Sequence, residues 1–170
     1  VDLLDLRVRC RTAIPDVTRW ESANGVLKNG TSTLQCSVTV RHTAQAREVL
    51  GDSPFLGVEQ AVLFESDPDR AREIAREHLH VYFTTEYNVA KFLRLGYTEA
   101  DIDGGRGSDR LVDDLVFWGD LDTIVRKLHG HLDAGADHVG IQVLGIEPGQ
   151  SAMPHWRQLA EALLPQRATT

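Results

Sequence analysis

The chain has 170 residues, 42% hydrophobic and 25% charged, with a formal net charge of −7. It is long enough to bury a core and too apolar for a disordered segment, and its interspersed charges form no basic patch that would attract nucleic acid or an anionic membrane surface. No apolar run reaches transmembrane length, and Asp2, Asp5, Arg7, Arg9 and Arg11 interrupt every apolar stretch at the start, so no membrane partner and a cytoplasmic location are expected.

Residues 1–30 carry little periodic signal: Pro15 interrupts, and Asn24-Gly25 and Asn29-Gly30 are turn dipeptides. Cys10 and Cys36 are too few and too far apart for a disulfide framework or metal cluster and are expected as reduced thiols. Over 31–40, Leu34, Cys36, Val38 and Val40 alternate with Thr33, Gln35, Ser37 and Thr39, the period of a half-buried strand. A helix is expected over 44–50, with Gly51 to stop it. The apolar run 61–65 reads as a strand. Ser66-Asp67-Pro68-Asp69 then opens a helix over 68–82 with a capping oxygen, proline at the first helical position and acids against the positive helix end. Ala71, Ile74, Ala75, Leu79 and Tyr82 recur at helical spacing on its apolar face.

Between 84 and 118 no strand is visible. Thr85 can cap a helix through Leu95 that Gly96 ends, Thr98 starts a short one, and Ser108 starts a third carrying Leu111, Val112, Leu115 and Val116. Such a long helical excursion in an α/β domain usually serves as a lid, a pocket wall or an oligomer surface. Residues 118–145 are the clearest stretch. Asp120 or Asp122 can cap a helix whose stripe is Leu121, Ile124, Val125, Leu128 and Leu132, and Gly135 ends it. Val139, Ile141 and Val143 then alternate with Gly140, Gln142 and Leu144, so one strand face is β-branched and the other is mostly small or polar. Met153, Trp156, Leu159, Ala160, Leu163 and Leu164 mark a closing helix that Pro165 ends.

Most chemical motifs fail on geometry. Gly104-Gly105-Arg106-Gly107 lacks the preceding strand of a dinucleotide fingerprint and has Arg110 where its third glycine belongs, so it reads as a loop, although its N–H groups and the helix start at Ser108 can meet an anion. His78 and His80, like His129 and His131, stand two residues apart and point roughly 200° away from each other on a helix. No metal site is expected, and solvated or capping histidines are. Asp113-Asp114 and the trio Glu99, Asp101 and Asp103 are expected to face water.

Six segments carry a resemblance. They are Arg41-His-Thr-Ala-Gln-Ala-Arg-Glu-Val-Leu-Gly51, Glu59-Gln-Ala-Val-Leu63, Leu93-Arg-Leu-Gly-Tyr97, Gly107-Ser-Asp-Arg-Leu-Val-Asp113, Trp118-Gly-Asp120 and His131-Leu-Asp-Ala-Gly-Ala-Asp-His-Val-Gly-Ile-Gln-Val-Leu144. In order and spacing the chain resembles the C-terminal half of a luciferase-like monooxygenase, in the deazaflavin-dependent oxidoreductase branch of actinobacterial type. The resemblance implies an α/β fold, a partial (β/α)8 TIM barrel made of C-terminal strands with a helical insertion: 61–65 as strand seven, 84–118 as the insertion and 138–144 as strand eight. Residues 37–170 form this part of the barrel domain, and 1–36 are a poorly matched N-terminal segment.

The implied activity is hydride transfer between a reduced deazaflavin (coenzyme F-420, or FMN) and a small organic substrate, with the protein supplying orientation and a dry pocket. Pocket candidates are Glu65, Ser66, Gln142 and Gly145 at the strand ends, with Tyr87, Asn88, Ser108 and Arg110 from the insertion. Glu65 and Ser66 can equally cap a helix, Gln142 can fill a layer and Arg110 can lie on a solvated face. The family's catalytic positions belong to N-terminal strands, so no catalytic residue is assigned. A closed barrel takes eight strands and about 250 residues, against three strands legible here. The expectation is a truncated member, active or else a non-catalytic remnant or half-barrel that forms a homo-oligomer or needs a complementing chain.

Overall fold

The computed structural model describes residues 32–35 and 38–164. Its strands are β1 (Ser32–Gln35), β2 (Phe55–Leu63), β3 (Val116–Trp118) and β4 (His138–Val143). The helices are α1 (Val40–Leu50), α2 (Pro68–Thr84), α3 (Glu86–Arg94), α4 (Glu99–Ile102), α5 (Asp109–Leu115), α6 (Leu121–Asp133) and α7 (Met153–Leu163), with a 3-10 turn at Asp103–Gly105. None of these helices is long and apolar enough to cross a membrane.

Every strand pairing is parallel, and β2 is the axis of the sheet: Ser32 pairs with Phe55, Val116 with Ala61, and Gly57 with His138. A strand has two edges. Because β4 spans residues 57–62 of β2 on one of them, β1 and β3 share the other, end to end. The two strands expected to be neighbours, around 61–65 and 138–144, are parallel and adjacent in one sheet.

Local chemistry sets the helix starts. The Thr39 hydroxyl accepts from the His42 N–H at 3.2 Å, Asp67 from Arg70 at 2.9 Å, Ser108 from Leu111 at 3.2 Å and Asp120 from Thr123 at 2.9 Å. Each side-chain cap satisfies a donor the helix leaves over and is worth about 1 kcal/mol.

Alternation along the strands divides the core. Val58, Val62, Phe117, Val139 and Ile141 turn to one face, where Ile124 and Leu128 of α6 and Trp156 and Leu159 of α7 cover them. Leu63 and Val116 turn to the other face and meet Ala71, Ala75 and Leu79 of α2, together with α3 and α5. The second face is covered over the carboxyl half of the strands. Over their first half, Glu59, His138 and Gly140 stay half-buried.

Several boundaries differ from the sequence reading. Strand β2 starts at Phe55 rather than 61 and ends at Leu63, which leaves Glu65 in the following loop. Helix α1 starts at Val40, four residues early, because Thr39 caps it. Strand β3 lies inside the stretch read as strandless. Asp101 and Asp113 do not simply face water. Asp101 accepts from Thr98 and Ser108 and pairs with Arg110, while Asp113 pairs with Arg72 and accepts from Trp118 Nε1. The expectations for residues 1–30, for Cys10 and Cys36, and for Pro165 lie outside the described residues.

Candidate functional site

Two places gather polar side chains at strand ends. The first is the carboxyl rim of β2 and β4. Glu65 Oε1 accepts from the Asp67 N–H at 3.0 Å and Oε2 lies 3.2 Å from Arg70 Nε, so this carboxylate stabilises the start of α2, with Ser66 exposed next to it. Gly145 follows β4 with φ of 73°, a backbone conformation that favours glycine, and a Cβ there would stand 2.7 Å from Leu63 Cδ1. Gln142 is half-buried on the second face of β4. The rim also holds a residue the sequence reading missed: His155 of α7 stacks on Phe64 with centroids 4.5 Å apart, and its Nδ1 is buried without a hydrogen-bond partner among the described residues. Tyr87 and Asn88 lie instead on α3, which packs on α2, and Tyr87 is exposed.

The second place is a cleft of about 360 Å³ between the start of α1, the end of α3, α5, β3 and α6. Of the residues expected near a pocket, Arg110 lines it. Its guanidinium pairs with Asp101 at 2.8 Å and lies 4.8 Å from the Tyr97 ring centroid. The Arg110 pair holds the Asp101 carboxyl well below the usual range, helped by the Thr98 N–H. Ser108 is spent on the same cluster: it donates to Asp101 at 3.0 Å and caps α5. Tyr97 donates to Asp114 at 2.6 Å, and burial followed by that bond pushes the phenol above its ordinary value. Burial raises the Asp113 carboxyl, but the Arg72 and Trp118 hydrogen bonds outweigh it and leave the group lowered. Lys127 of α6 lies 5.3 Å from the Phe117 ring centroid, and burial lowers its ammonium despite Asp113 and Asp114 nearby.

Behind the cleft runs a buried polar chain. Gln60 Nε2 donates to the carbonyls of Leu115 and Ala61, each at 2.9 Å, at the point where β1 has ended and β3 begins. Gln60 Oε1 can only accept, so His131 Nε2 donates to it at 2.8 Å and Nδ1 is left to accept from the Thr43 hydroxyl at 2.8 Å. His131 also stacks on Phe117, which floors the cleft. Burial lowers this imidazole to about 4, so it is neutral at pH 7. His131 was expected to be solvated or capping and is instead fully buried, while His129 is exposed, as their two-residue spacing dictates. Its partners are remote in sequence, so no local pattern announces them.

No family model matches the chain, and no curated protein matches it. Among the described residues no three histidine, cysteine, aspartate or glutamate side chains converge as a metal site would need.

Proposed function

We propose that this chain carries the C-terminal strands of a luciferase-like, deazaflavin-dependent oxidoreductase, with β2 and β4 as neighbouring barrel strands and residues 84–118 as the insertion. The observation that carries the reading is how the resembling segments meet. Arg47 donates to the Gly135 carbonyl at 2.8 Å and pairs with Asp137 at 2.6 Å; Thr43 and Gln60 converge on His131; and Trp118 bonds Asp113. Residues that resemble one family at separate places in the chain hold one another in space. They hold the fold, which is why they carry family likeness without carrying chemistry.

When bound, the coenzyme supplies two-electron hydride transfer to a small organic substrate. Glu65, Ser66, Gln142 and Gly145 lie where a barrel presents its ligand. They do not enclose a ring of that size: Glu65 is engaged with α2, Ser66 is exposed, and the 360 Å³ cleft lies elsewhere. Small-molecule sites bury about 70–90% of ligand surface, so the opposite wall must come from beyond the described residues. The test is titration of oxidised deazaflavin by fluorescence quenching, with the chain alone and co-purified with strands one to five of a luciferase-like enzyme. The expected result is saturation in the complex and none below about millimolar for the chain alone. Failure of the two halves to associate, or association without saturable binding, would refute the reading.

A second reading, a non-catalytic half-barrel that associates with a copy of itself or another chain, is favoured by the sheet edges. The outer edges of β1 and β4 have no strand partner among the described residues, and such edges pair readily.

A further inference from the structure

We infer that the cavity between α1 and α3 binds a small monocarboxylate with a short aliphatic tail. The inference is independent of the coenzyme reading, because none of the rim candidates lines this cavity of about 190 Å³.

His42 supplies the observation that asks for a ligand. It lines the cavity nine-tenths buried, yet its Nδ1 is shielded from solvent and has no hydrogen-bond partner among the described residues. The other deeply buried histidine differs in this respect, since both ring nitrogens of His131 are bonded. Buried polar atoms are nearly always paired, and an unpaired one carries a cost that an acceptor brought from outside removes. A neutral imidazole holds one N–H, and Nδ1 can be the nitrogen that holds it.

Charge says what kind of acceptor fits. In a chain of net charge −7, two cations and no acid line this cavity. Lys91 of α3 is nine-tenths buried, and Arg94, almost one turn on, is exposed to solvent. Burial first, and then the charges of these two residues, hold the His42 imidazole at about 4, so the field at the ring is positive. Lys91 has contacts of its own, the Phe92 ring among them, and contributes its charge. Arg94 forms no ion pair among the described residues, and its guanidinium is a donor for a carboxylate. A water would accept from Nδ1 but fills only about 30 Å³ and leaves the cations unanswered.

The rest of the lining sets the body of the ligand. Ala46, Val49 and Leu95 are apolar, and Val49 stands 63% exposed, so a tail laid against it would take apolar surface out of water. Inorganic phosphate makes no use of that wall, and as a dianion it needs more donors than one imidazole N–H and one guanidinium. A carboxylate on a short alkyl chain matches both parts.

The experiment is an NMR titration of the full chain at pH 7 with valerate, its neutral amide valeramide, and acetate. Valerate should saturate at about millimolar concentration, with shifts at His42, Val49 and Arg94. Valeramide tests the charge and acetate tests the tail; each should bind at least about tenfold more weakly. The ring nitrogen spectrum of His42 in the wild-type complex should show Nδ1 protonated, a readout that needs no variant. His42→Leu removes the donor and should weaken valerate about tenfold or more; Arg94→Met removes an exposed charge and should weaken it about threefold to fivefold. Melting temperatures check that both variants are folded. Valerate shifts that do not saturate, valeramide or acetate matching valerate, a complex in which Nδ1 stays bare, or folded variants that bind like the wild type would overturn the inference.

Discussion

Acidification should destabilise this protein before its carboxylates titrate, because two histidines are buried neutral. His131 has no exposed surface, and burial lowers it from 6.5 to about 4. His42 is lowered to about 4 by burial and by the neighbouring Lys91 and Arg94 cations. In the unfolded chain both take a proton near pH 6.5, so between pH 6.5 and 4 the unfolded state binds more protons and stability falls as pH falls. For one histidine with these two values, linkage gives a loss of about 2 kcal/mol between pH 7 and pH 5 and about 3 kcal/mol by pH 4. The pair therefore removes about 4 kcal/mol by pH 5, a large part of the total stability of about 5–15 kcal/mol of a typical domain. Urea unfolding at pH 7, 6 and 5 measures the loss. His131→Gln can keep both bonds, its amide N–H to Gln60 and its oxygen from Thr43, without a titrating group, and should lose about 2 kcal/mol less than the wild type over the same interval. Equal pH dependence in the two proteins would refute the assignment of His131 as a neutral buried donor.

Other expected outcomes follow from single contacts. Arg47→Ala removes donors to the carbonyls of Gly135, Gly51 and Pro54 and the partner of Asp137; urea unfolding should show a loss of about 3 kcal/mol. Gly107→Ala places a Cβ into the Phe83 ring at φ of 79° and should cost about 2–3 kcal/mol, whereas Gly104→Ala, with φ of 59° and open space around it, should cost about 1 kcal/mol; equal melting temperatures for the two variants would contradict the packing of Phe83. The edges of β1 and β4 that have no strand partner among the described residues should make the chain self-associate at micromolar concentration, and a monodisperse 18.9 kDa species in sedimentation would rule that out.

Much of the fold was legible where a period ran long enough. Helix α6 and strand β4 follow from one stripe and one alternation, and the caps at Asp67, Ser108 and Asp120 lie at the helix starts their side chains announce. Strand β3 was hidden because its three residues continue the apolar stripe of α5 through Leu115 and Val116. The first half of β2 was hidden because Gly57, Glu59 and Gln60 break the alternation. Gln60 is buried there only because Leu115, 55 residues on, and His131, 71 residues on, satisfy its amide. The same limit applies to the sites. The rim candidates followed from strand ends, but the cleft draws Arg41, Asp114 and Lys127 from three helices and Tyr97 from the loop after α3, and no local spacing connects them. Asp101 and Asp113 read as solvated acids because their arginine partners arrive by tertiary packing.

If the proposed function holds, a deazaflavin meets the carboxyl rim of β2 and β4. Amide shift mapping of isotope-labelled chain, in complex with an unlabelled half-barrel of strands one to five, tests it most directly when oxidised deazaflavin is added. Saturable shifts are expected at Ser66, Gln142 and Gly145, with Val40 and Arg41 unmoved. Shifts confined to Val40, Arg41 and Lys127, with the rim silent, would contradict it.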